Sequence, residues 1–177
     1  DWGLMGTFPK EDRKALVQLI VGVRLRDAKR LHENAGFLVE GGIPNDPGRW
    51  QKVDALIADI VKPEQAISAF EGLESLVGGL IEQGYTTKFD LNTFIKSQLT
   101  IAGELIDLDP KLKQDDLLEK RVTSMVKKEL FKRIPCFVFC PNSRNYGSML
   151  SNNDVKALRK HARNNAKQKG AERRAAQ

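Results

Sequence analysis

Long apolar runs, cysteine and histidine are all scarce in this chain of 177 residues, and each scarcity closes off a class of function. No apolar run approaches the roughly 18–20 residues that a membrane-crossing helix needs. Only two cysteines occur, Cys136 and Cys140, both in "CFVFC". Two are too few for a disulfide framework. They are expected as two buried thiols among aromatics, packed as small hydrophobes in a reducing compartment. His32 and His161 are the only histidines and lie far from that pair, so a Cys/His metal centre is not expected. A G-x-x-x-x-G-K-[ST] loop, a G-x-G-x-x-G turn and a G-x-S-x-G elbow are all lacking, which removes the P-loop, dinucleotide and hydrolase readings.

Basic excess is also lacking over most of the chain. The formal net charge is +6, but residues 1–150 hold 21 basic and 21 acidic residues. From Ser151 to Gln177 there are eight Lys/Arg against two acids, so the tail carries the whole excess. Such asymmetry speaks about partners rather than about fold.

What is present is helical periodicity. Pro9, followed by Glu11 and Asp12, suits a first helical turn, and Ala15, Leu16, Leu19, Ile20 and Val23 repeat at helical spacing. Arg24 and Arg26 close that helix. Asp27 can cap a second one, with Gly36 as its stop. "GGIPNDPG" reads as a loop, and Asp46-Pro47 starts a helix striped by Trp50, Val53, Leu56, Ile57 and Ile60. Ser68 and Glu71 form a capping box for the run through Leu73, Leu76, Val77 and Leu80, which Gly84 ends. Asp90 is expected to cap a helix that breaks at Asp109-Pro110, and a further one spans about 114–134. Candidate N-caps at Ser151 to Asp154 precede the basic tail. "CFVFC" is strand-like but has no pairing partner. The fold class is therefore all-α. Residues 1–135 form the helical body, 136–150 a linker, and 151–177 a mobile tail, helical or disordered. His32, His161 and the acidic pairs Asp107/Asp109 and Asp115/Asp116 read as solvated surface charges and helix-end charges, not as catalytic or metal groups.

One motif opens the chain. Asp1-Trp2-Gly3 has the form of the Asp-aromatic-Gly triplet of kinase-like sites. Its neighbours extend the match. "DWGLMGTFPKEDRKALVQLIVGVRLRDAKRLHENAGFL" resembles the UbiB/AarF family of atypical kinase-like proteins. Leu4-Met5-Gly6, the helix from Pro9 to Arg26, the Arg26-Asp27 pair and Gly36-Phe37-Leu38 follow the family's order. "FIKSQLTIAGELIDLDPKL", with Ala102-Gly103 and Leu108-Asp109-Pro110, looks like a later helix of that family. The resemblance covers roughly residues 1–135, and Trp2 stands where Phe is usual.

The resemblance implies the C-terminal helical part of a kinase-like C-lobe. It implies ATP and Mg²⁺ as cofactors, with Asp1 the metal ligand, Asp1 and Gly3 beside the nucleotide, and Trp2 anchoring the loop. No catalytic residue is expected within these residues. The family's nucleotide-gripping lysine, Ala-rich loop and catalytic Asp and Asn do not occur in them, so the chain is expected to be a C-terminal piece, inactive alone. The parent would be an ATPase or kinase supporting ubiquinone synthesis, meeting nucleotide and isoprenoid lipid through its upstream part. The tail has two open readings, a solvated extension or attachment to an anionic surface. The tail has almost no large apolar residue and no aromatic one, which supports neither deep insertion nor base stacking. The resemblance, to proteins acting in isoprenoid-lipid metabolism at membranes, implies docking of Lys156, Arg159, Lys160 and Arg163 on an anionic membrane surface rather than on nucleic acid. The expected location is cytoplasmic and peripheral at a membrane. The competing function is a self-standing helical binding module whose basic tail docks on nucleic acid or an acidic partner.

Overall fold

Helix signals at regular intervals give helices at those intervals. The computed structural model describes residues 9–63, 67–109, 114–137 and 139–175. Its helices are α1 (Lys10–Leu25), α2 (Ala28–Ala35), α3 (Pro47–Ile60), α4 (Ala69–Glu82), α5 (Phe89–Leu108), α6 (Gln114–Lys128), α7 (Leu130–Arg133) and α8 (Asn152–Ala175). Among the described residues there is no strand, only an isolated bridge between Val39 and Thr87. The fold is all-α.

Local caps set most of the boundaries. Asp27 and Asp46 accept from the backbone N–H of Arg30 and Arg49 and so start α2 and α3. Ser68 Oγ accepts from Glu71 N while Glu71 Oε2 accepts from Ser68 N, a reciprocal box that starts α4. Gly84, at φ +84°, ends the turn after α4.

Gly36 follows the last residue of α2 as the expected stop; its φ is −58° and it leads into a 3₁₀ turn, Gly36–Leu38. Two boundaries differ from expectation. Lys88, not Asp90, stands at the start of α5, and Asp90 sits inside the first turn, where its charge complements the helix dipole. The helix expected over 114–134 breaks at Glu129, whose carboxylate is held by residues from further along the chain. The basic tail takes the helical one of its two expected forms over Asn152–Ala175. Its start is a second reciprocal box: Ser151 Oγ accepts from Asp154 N, and Asp154 Oδ2 accepts from Ser151 N.

The chain divides into two compact units, residues 1–121 and 122–177. The first has an apolar core contributed by α1 to α5 around α4, whose Phe70, Leu73, Leu76 and Leu80 are all buried. The first half of α5 joins that core through Leu91 and Ile95, with Phe94 and Leu99 packed against it; Ile101, Ile106 and Leu108 are exposed. The second unit contains residues 136–150, expected as a linker, and buries Ser148 and Leu150 among them.

Close approach of α1 to α4 depends on Gly72. A Cβ there would lie 2.5 Å from Val23 Cγ1 and 3.3 Å from Ile67 Cδ1. Val23 is buried and β-branched, so it has little rotamer freedom with which to yield. Gly72→Ala is expected to destabilise the first unit by about 1–3 kcal/mol. Gly78→Ala, where a Cβ meets open space, should instead stabilise it by up to about 1 kcal/mol. Paired thermal melts measure both.

Candidate functional site

In the first unit a cleft of about 270 Å³ lies at the N-terminus of α1. Pro9, Asp12 and Leu16 of the α1 region, Phe37 and Glu40, and Lys88, Phe89 and Asp90 at the start of α5 line it. Backbone bonds from Glu40 N to Thr86 O (2.8 Å) and from Lys88 N to Leu38 O (3.0 Å) clamp its two loop walls together. Lys88 Nζ sits 2.8 Å from Asp12 Oδ1 and 5.9 Å from the centre of the Phe37 ring. The ammonium is thus held by a carboxylate and an aromatic face at once. Asp1, Trp2 and Gly3, the residues expected to bind metal and nucleotide, lie outside the described residues. Among the described residues no three His, Cys, Asp or Glu side chains converge as a metal centre. No described residue is therefore assigned as an Mg²⁺ ligand.

The acidic and histidine candidates stay apart. Asp107, Asp109 and Asp116 are exposed, as helix-end charges should be. His32 is half-buried and is not a merely solvated ring. Its Nδ1 lies 2.6 Å from Asp54 Oδ1, and its ring centre is 4.3 Å from that of Trp50. The pair ties α2 to α3.

The second unit holds a densely bonded side-chain cluster that the sequence reading missed. Arg133 is only 1% exposed. Its Nη2 donates to Glu129 Oε2 (2.7 Å), Ser148 Oγ (2.7 Å) and the Leu150 carbonyl (3.0 Å). Its Nε donates to Glu129 Oε2 (3.1 Å), and its Nη1 donates to Asn152 Oδ1 (3.1 Å). The guanidinium lies 4.0 Å from the Tyr146 ring centre. Ser148 also donates to Glu129 through its backbone N (2.7 Å) and its Oγ (2.8 Å). Burial alone would raise the Glu129 carboxyl. The hydrogen bonds from Arg133 and Ser148, and the charge of Arg133, outweigh it and hold the group below its ordinary value. These bonds fasten α7 to the start of α8. The signal that could have found it is the Glu129/Arg133 pair at i, i+4.

Cys136 and Cys140 are joined in a disulfide. They are half-buried rather than buried, and the neighbouring Phe137 and Phe139 are exposed. The expectation of two core thiols is therefore corrected: bonding replaces packing, and the aromatics face outward. No helix of the described residues is long and apolar enough to cross a membrane.

No protein-family model, curated protein or solved structure matches the chain.

Proposed function

We propose that the chain is the helical C-lobe portion of an Mg²⁺-dependent, ATP-binding kinase-like protein of the UbiB/AarF type, supporting ubiquinone synthesis. One observation carries the reading, the order of features across residues 1–38. The Asp1-Trp2-Gly3 triplet comes first, then a Pro9-led helix, then an Arg26-Asp27 turn whose Asp caps α2, then Gly36-Phe37-Leu38. In such a site Asp1 would hold the Mg²⁺, which would supply charge neutralisation for the phosphates, Trp2 would anchor the loop and Gly3 would leave clearance beside the nucleotide. The groups that grip the phosphates and orient the nucleophile are not among these 177 residues. Phosphoryl transfer depends on positioning, so residues 1–177 by themselves are not expected to turn over ATP. On this reading the basic α8 keeps the protein peripheral at an anionic membrane.

Two linked measurements test it. The coding sequence upstream of Asp1 should contain an Asp followed by an Asn roughly 15–20 residues before the triplet. The product of that longer frame should bind Mg-ATP by isothermal titration and lose it on Asp1→Asn. A start codon directly before Asp1, or nucleotide binding indifferent to Asp1→Asn, overturns the proposal in favour of a helical binding module.

A further inference from the structure

The segment from Leu130 to Phe139 places its large apolar side chains in water. Phe131 is 85% exposed and Phe139 is 87% exposed; Leu130, Ile134 and Phe137 are exposed as well. Singly exposed hydrophobes are ordinary, but five within ten residues form a patch that calls for an occupant. The local cause is visible. Arg133 takes the inward position of α7, which leaves Phe131 and Ile134 outside. The Cys136–Cys140 disulfide then closes a five-residue ring that displays Phe137 and Phe139.

The two residues that follow that ring are bonded to the first turn of α8. Asn153 N donates to the Pro141 carbonyl (3.3 Å), and Asn153 Nδ2 donates to Asn142 Oδ1 (2.7 Å). Asn152 and Arg133 exchange two further bonds. Beginning one turn later, Lys156, Arg159, Lys160, Arg163 and Lys167 follow at i, i+3, i+4, i+7 and i+11. At about 100° per residue these five positions fall within an arc of about 100°, one straight stripe along the helix. All five are exposed, and none has an ion-pair partner among the described residues. No acid occurs between Asp154 and Glu172. The whole unit, residues 122–177, has thirteen Lys/Arg against three Asp/Glu, a net charge of +10.

We infer that this unit docks on an anionic lipid bilayer, with the α8 stripe on lipid phosphates and the Phe131, Phe137 and Phe139 rings in the headgroup–acyl boundary. A patch of Phe with Leu130 and Ile134, fixed beside unneutralised cations, matches a surface that is apolar just beneath a negative plane. The patch makes a second copy a poor occupant, since pairing would press +10 against +10. Nucleic acid would use the rings for stacking but would leave Leu130 and Ile134 without a role. The inference deepens the peripheral reading of α8 by adding insertion to charge, and it does not depend on the nucleotide proposal.

The test is co-sedimentation of the full chain with phosphatidylcholine vesicles, with and without phosphatidylserine. The chain is expected to bind only the phosphatidylserine vesicles. Phe131→Ser/Phe139→Ser, with an unchanged circular dichroism melt, should bind roughly tenfold more weakly or worse. Phe139→Trp should show quenching by brominated acyl chains beyond that of the parent chain. If the double Phe variant binds like the parent while Lys156→Gln/Arg159→Gln/Lys160→Gln/Arg163→Gln does not, insertion is refuted and charge-only attachment stands. Absence of binding to phosphatidylserine vesicles overturns both, whether the chain instead takes up a single-stranded oligonucleotide or forms a dimer that the double Phe variant loses.

Discussion

Arg133→Ala is expected to cost the second unit about 3–5 kcal/mol, the range for removing one member of a buried ion pair. The guanidinium is 1% exposed and satisfies five acceptor contacts. Its removal leaves the Glu129 carboxylate, 13% exposed, with Ser148 but no cation. It also strips Asn152 Oδ1 and the Leu150 carbonyl of a donor inside the protein. Little else compensates, because the other buried residues of this unit are Val126, Leu150 and the polar Ser148, Ser151, Asn152 and Asp154. Arg133→Lys is expected to rescue only a small part. A single ammonium does not reproduce a planar fork that reaches Glu129, Ser148, Asn152 and Leu150 while stacking on Tyr146. Acid should mimic the mutation. The folded-state carboxyl of Glu129 is depressed, so its contribution is complete above the ordinary value of 4.5 and is lost as pH falls through the lower folded value. The stability gap between the native chain and Arg133→Ala should therefore narrow below about pH 4. Amide exchange of residues 144–156, read at two pH values, measures it. Unchanged protection in Arg133→Ala would mean that the cluster is not what closes this unit.

The parts of this fold that were legible from sequence are those whose causes are local. Ser68 and Glu71 stand three residues apart and bond each other, so the start of α4 needs no tertiary information. The same holds for Asp27 and Asp46. Periodicity located the core stripe of α4 for a similar reason, since one turn repeats the last. Legibility failed where the partner is distant in the chain. At Glu129, where α6 gives way to α7, the carboxylate is held by Ser148, nineteen residues away, and nothing in the run from 114 to 134 announces that partner. Beyond the i, i+4 spacing from Glu129 nothing local marks Arg133, whose other acceptors come from Ser148, Leu150 and Asn152. "CFVFC" misled because apolar composition suggested burial, whereas the ring closed by Cys136 and Cys140 turns its aromatics outward. Of the candidate site, sequence supplied Asp1 and Gly3, outside the described residues. It did not supply the cleft at Pro9, whose walls come from α1, the 3₁₀ turn after α2 and the start of α5. No local pattern brings Asp12, Phe37 and Lys88 together.

Phe70→Ala is expected to destabilise the first unit by about 3–5 kcal/mol, the cost of emptying a large aromatic site in a packed core. Phe70 is 2% exposed in the first turn of α4, the helix around which the core is built. Its ring meets Phe94 edge to face, with centroids 6.1 Å apart and planes at 65°, so it also couples α4 to the buried start of α5. Only Leu91 and Ile95 of α5 are buried, which leaves that helix few other attachments. The loss should therefore appear as a lower denaturation midpoint and as early exchange of the α5 amides. Phe89→Ala is the control. That ring is 69% exposed on the rim of the cleft, and surface changes of this kind usually stay within about 0.5 kcal/mol. Trp50, on α3, reports on the same unit by fluorescence, so one denaturant titration per variant suffices. Equal effects of the two substitutions would show that the Phe70–Phe94 contact does not organise the core. A large effect confined to Phe70→Ala would place the stability of the first unit in α4 and leave the cleft rim free to serve a ligand.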